Sequence, residues 1–171
     1  MTEAAQNVAP IETKSEAFFE EIEKGRMNFS FQRPDKVIPK GKKIHVRLAG
    51  TENFRTSVQI LNQGGENNLH YHSDMDLMYI VLKGRVRFYG AGDKVVGEFG
   101  VHDGILLPEF TRYWFESVGE EEAHLLQIAG YPQGAKKSKR IPLAPPKAAS
   151  GGEWIGMTEE EAAVRDKNNM R

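Results

Sequence analysis

The chain of 171 residues carries 23 Lys and Arg against 24 Asp and Glu, so no net field draws it onto nucleic acid or an anionic membrane. It has no cysteine, which excludes disulfide staples, thiolate metal sites and cysteine nucleophiles together and leaves the chemistry to His, carboxylates, Tyr, Ser or a bound cofactor. The length suits one well-filled core, no apolar run reaches the roughly 18 residues that span a bilayer, and the start lacks an apolar leader; this reads as a cytoplasmic protein with a small-molecule partner.

Residues 1–26 read as a disordered lead followed by a short helix. Thr13 stands three residues before Glu16 in a capping-box pattern, Phe18, Phe19 and Ile22 share a side that would pack on a larger body, and Gly25 closes the segment. From residue 27 to 132 the texture changes to short β-rich runs. They are Asn28 to Gln32, Lys43 to Leu48, Arg55 to Leu61, Leu69 to His72, Leu77 to Leu82, Val86 to Tyr89, Lys94 to Phe99, Ile105 to Leu107, Tyr113 to Val118 and His124 to Ile128. Many short strands separated by Gly, Asp or Asn predict an all-β sandwich or closed barrel. Residues 133–171 hold Lys136, Lys137, Lys139 and Arg140, then Pro142, Pro145 and Pro146, and read as an extended, solvated tail. Thr158 with Glu159, Glu160 and Glu161 predicts a short terminal helix to about Asn168, and Trp154 and Ile155 are candidate hooks onto the barrel or a second subunit.

The stretch from Gly64 to Gly84 concentrates the chemistry. His70 and His72, at i and i+2 on a strand, project from one face, so one cation could bridge them. A carboxylate after the next turn would complete two imidazoles and an oxygen ligand, the set used by non-haem iron oxygenases.

Here the sequence resembles the cupin superfamily, whose first motif is a glycine, five residues, His-x-His, three or four residues, a glutamate, six residues and a glycine. Gly64, His70, His72 and Gly84 fit it, while the place of the glutamate falls on Asp76 or on Leu77 according to the end from which it is counted. The second motif aligns on Pro108, and Asp103 agrees with it. His102 and Phe110 stand at its glycines, Tyr113 at its histidine and Ser117 at its asparagine. The resemblance implies a double-stranded β-helix, or jelly-roll barrel, over roughly residues 44–131, and a homodimer. It also implies a divalent metal ion, Fe(II) first, held by His70, His72 and Asp76. Tyr113 then stands as the catalytic residue, ligating as phenolate or donating a proton, with Phe115 and Ser117 beside it on an inward, substrate-binding face.

Three functions follow from this reading. The first is an iron dioxygenase or oxygenase acting on a small aromatic or keto acid, the second a redox-neutral isomerase, lyase or dehydratase, and the third a non-catalytic binding cupin. His124 is a further candidate if His124, Leu126 and Ile128 face inward; the opposite parity brings in Leu125 and Gln127. Glu98 reads as solvent-facing, as do Arg55, Arg85 and Arg87, any of which would favour a carboxylate or phenolate substrate if it pointed inward.

Overall fold

The computed structural model describes residues 14–63, 67–132, 139–145 and 152–156. The expected lead, Thr13, Gly64 and the helix from Thr158 lie outside these residues.

One α-helix, α1 (Glu16–Glu23), precedes eleven strands. They are β1 (Lys43–Gly50), β2 (Phe54–Leu61), β3 (His70–His72), β4 (Asp76–Lys83), β5 (Val86–Tyr89) and β6 (Val95–Phe99). There follow β7 (Gly104–Leu107), β8 (Trp114–Ser117), β9 (Ala123–Gly130), β10 (Arg140–Pro142) and β11 (Gly152–Ile155). Among the described residues no helix is long and apolar enough to cross a membrane.

Strand order in the larger sheet is β11-β1-β2-β9-β4-β7, antiparallel except for the β1–β11 pair. The facing side is built from β6-β5-β8 and β10-β3, which are joined where His70 and Tyr113 exchange backbone hydrogen bonds of 3.1 and 2.9 Å. Side chains that point between the two sides form the main core, with Leu61, Leu77, Tyr79, Val81, Phe88, Phe115 and Leu125 nearly inaccessible to solvent. Alternation along each strand produces this: Leu77, Tyr79 and Val81 on β4 turn inward while Met78 and Leu82 turn out. The outer face of the six-stranded sheet is apolar too. Ile44, Val58 and Ile60 bury there under Ile38, with Phe31 packed against them.

That cover explains two departures from the expected elements. Residues 28–32 are not a strand, because Phe31 is spent as a plug over the outer face of the sheet and Arg33 is tied to Glu122 at 2.8 Å. Nor does α1 pack on the barrel: Ser15, not Thr13, caps it by accepting from the Phe18 amide at 3.3 Å, and Phe18, Phe19 and Ile22 remain exposed.

The tail departs furthest from its reading. Residues 140–142 pair with β3 and residues 152–155 with β1, so the segment read as solvated extends both sides of the barrel. Trp154 does act as a hook: its ring stacks on His45 at 4.3 Å between centroids.

Gly84 closes the turn between β4 and β5 with a φ of 71°, and a methyl group there would stand 3.0 Å from the Ala123 Cα. Gly84→Ala is expected to destabilise the protein by about 2 kcal/mol, the cost of a left-handed non-glycine residue plus crowding, read as a lower denaturant midpoint with unchanged m-value.

Candidate functional site

His70 and His72 sit on β3 with ring centroids 5.2 Å apart, and the Tyr113 ring stands 4.5 Å from His70 and 6.3 Å from His72. The alternation rule therefore places the pair and the tyrosine together as expected. His70 Nδ1 lies 2.7 Å from the Asn68 carbonyl oxygen. A carbonyl only accepts, so Nδ1 carries the proton and Nε2 keeps a lone pair toward the interior. Burial, reinforced by the Arg140 charge, holds His70 well below its ordinary pKa and brings His72 down to about 4, so both rings are neutral at physiological pH.

Tyr113 and Tyr79 share a hydrogen bond of 2.9 Å between their hydroxyls. Burial pushes Tyr79 up to about 12 and Tyr113 well above the usual phenol value. The phenolate considered for Tyr113 is thus the form this interior disfavours, and the tyrosine is a neutral donor or acceptor. Phe115 is buried and stacks within the same aromatic cluster, with ring centroids 5.0 Å from Phe88 and 5.6 Å from Tyr79. Ser117 also points inward, opposite Val86 and beyond Phe115 from the histidines.

Asp76 is not brought to the histidines. It opens β4 on the outward parity, is exposed, and accepts the Glu109 amide at 2.9 Å, holding the turn before β8. Leu77, the residue on the inward parity, has no donor atom. His124 is also outside: Leu125 and Gln127 are the inward residues of β9, and His124 meets Glu122 at 2.6 Å and the edge of Phe31. Glu98 accepts from Arg85 and Arg87 on the outer surface, as its reading anticipates. His102 and Phe110, where the resembled family has glycine, carry φ of 74° and 62°, so the backbone keeps the left-handed turns without the residue that makes them cheap.

Sequence reasoning reads Arg55 and Arg140 as solvated, whereas the structure turns both inward, and it passes over Lys43 and Arg47. Arg140 stands opposite His72 on β10, bonds to the Asn68 side chain, and has its pKa lowered by burial. Lys43, the first residue of β1, is 8% exposed with its Nζ 5.4 Å from the Phe115 ring centroid. His45 follows on the same face and Arg47 continues its parity, while Arg55 lies over Tyr131 at 5.3 Å. The one legible signal is Lys43, His45 and Arg47 alternating with Ile44, Val46 and Leu48. It gives β1 a polar face turned toward the core.

The resulting interior has a definite sign. Among the described residues the inward strand positions carry Lys43, Arg47, Arg55 and Arg140, three histidines, two tyrosines and two glutamines, and no carboxylate. No group of three His, Asp or Glu among them is placed to hold a metal ion.

Solved structures share this architecture. One is an RmlC-like cupin protein from Desulfovibrio desulfuricans, 24% identical, aligned over 61% of this chain and 97% of its own at a TM-score of 0.51. A conserved protein with a double-stranded β-helix domain from Klebsiella pneumoniae is 16% identical over 64% of this chain and 89% of its own, at 0.52. The chain has the cupin fold. An RmlC-like cupin from Methanocaldococcus jannaschii agrees, 15% identical over 62% of this chain and 91% of its own at 0.51. At these identities the likeness is one of fold. No protein-family profile and no curated protein matches the chain.

Among the described residues the donor set does not fit the metal that the cupin resemblance implies. His70 and His72 gain no third donor, since His45 does not join them and Asp76 points away, and Arg140 and Lys43 put two positive charges near the place where a divalent ion would add more.

Proposed function

We propose that this cupin binds a small aromatic or keto acid inside its barrel. Arg140 and Lys43 neutralise the carboxylate, neutral His70 and His72 with Tyr113 hydrogen-bond to the ligand, and Phe115 lines the aromatic wall. The observation that carries this reading is that Lys43 and Arg140 turn inward while the described residues place no carboxylate at an inward strand position. A buried charge needs a partner, and the carboxylate of an anionic ligand would supply one to Lys43 and Arg140. Arg140 offers a planar fork matched to a carboxylate, and the protonated Tyr113 can donate to one of its oxygens.

An iron oxygenase keeps one supporting observation: the Asn68 carbonyl fixes the His70 tautomer so that Nε2 is free to donate its lone pair, as carbonyls behind metal-bound histidines do. The shortage of ligands and the nearby cations argue against it.

Calorimetry with benzoate, phenylpyruvate and the neutral analogue benzamide separates the readings. The acids are expected to bind and benzamide not to. Arg140→Met is expected to weaken the acids by roughly 10- to 100-fold, the loss of one charged hydrogen-bonding partner. Acid affinity unchanged in that variant, or stoichiometric iron in protein purified without chelator and lost in a His70→Ala, His72→Ala double variant, overturns the proposal.

A further inference from the structure

Lys43 has a property that neutralising an acid does not require. A lysine on a strand normally runs its ammonium out to water. This one is inward on β1, 8% exposed, and ends 5.4 Å from the centroid of Phe115. No carboxylate among the described residues shares the inward positions, and the charge that most affects the amine is the like charge of Arg140. Desolvation against apolar surface and a neighbouring cation are the two influences that free a lysine amine for nucleophilic work, and both converge here.

The geometry points to Lys43 as a covalent site, its neutral amine forming an imine with the carbonyl carbon of a small keto acid whose carboxylate Arg140 holds. This rests on the acid-binding reading and adds a ketone to the ligand it describes.

The step is redox-neutral. The Nζ lone pair bonds to the carbonyl carbon while the C=O π pair moves to oxygen, and one N–H proton passes to that oxygen to give a carbinolamine. The C–O bond then breaks, the departing hydroxyl takes the second N–H proton and leaves as water, and the nitrogen pair closes the C=N bond. Tyr113, bonded to Tyr79 at 2.9 Å in the same interior, is a hydroxyl through which such protons can pass. Burial and Arg140 together bring the amine down to about 8 from 10.5, so near neutral pH its unprotonated fraction is roughly 300-fold that of an ordinary lysine.

The test treats the full chain with phenylpyruvate and cyanoborohydride near neutral pH and maps adducts by mass spectrometry. One adduct is expected on Lys43, weighing the keto acid less one oxygen atom, formed at least about tenfold faster than any on Lys36 or Lys42. Arg140→Met should slow it, and Lys43→Arg, which keeps the positive charge, should abolish it. Benzoate and phenyllactate, which lack the ketone, report acid binding separately. If they bind and phenylpyruvate gives no adduct on Lys43, or equal labelling of surface lysines, the imine is overturned and the acid pocket stands. If no acid binds, both fall.

Discussion

Lys43→Met is expected to stabilise the protein near pH 7 while weakening its affinity for acids. The native amine is brought from 10.5 to about 8, chiefly by burial, which corresponds to about 3 kcal/mol of penalty on the charged form. Contact with the Phe115 ring returns about 1 kcal/mol of that, leaving a net gain of about 2 kcal/mol when a neutral side chain of similar reach replaces the lysine. The pH dependence gives the sign independently. Because the folded pKa lies below the unfolded one, the unfolded wild type binds more protons between about 8 and 10.5, and its stability rises with pH across that window. The advantage of the variant is therefore largest below pH 8 and disappears above about 10.5. Denaturant midpoints of both proteins at neutral and alkaline pH check this. A variant less stable than the wild type at pH 7 would refute burial as the dominant influence on Lys43. Stability gained as binding is lost is the usual mark of a residue kept for function.

Acid should weaken the fold well before the carboxylates titrate. His72 is brought from 6.5 to about 4 by burial and the Arg140 charge, and His70 is lowered by the same two causes. Between those two values the unfolded chain takes up protons that the folded barrel refuses. Stability is complete above about pH 6.5 and is lost as the pH falls toward 4, by about 3 kcal/mol from His72 alone with His70 adding to it. A His70→Gln, His72→Gln double variant should flatten the dependence, as followed by the urea midpoint across that range. A wild-type midpoint constant between pH 7 and 4.5 would exclude buried neutral imidazoles at both positions.

Much of the barrel is legible from alternation. The strand holding His70 and His72, the register that turns Tyr113, Phe115 and Ser117 inward, and Gly84 at its turn all follow from period-two patterning and turn chemistry. Where the reading fails, a local rule yields to a distant contact. Asp76 and Leu77 are equal candidates by counting, and only their pairing with Gly130 and Ala129 on β9 settles which one faces the histidines. Phe31 has strand-forming neighbours yet is used as a cover, because the outer face of β1, β2 and β9 is itself apolar. The tail fails for the opposite reason. Its composition cannot form a core alone, but a strand of three residues needs only an open edge, which β3 provides. Arg140 reaches the side of His72 by that route, and nothing in its own surroundings in the chain marks it as buried.

That edge strand has a dynamic consequence. β10 is held to β3 by three residue pairs, so its opening draws on far less of the structure than global unfolding does. The charge that would retain an acid is carried on the same short strand. When β10 frays, the Arg140 charge is withdrawn and the histidines are uncovered in one motion, so under the acid-binding proposal both retention and exchange of the ligand would depend on a single local stability.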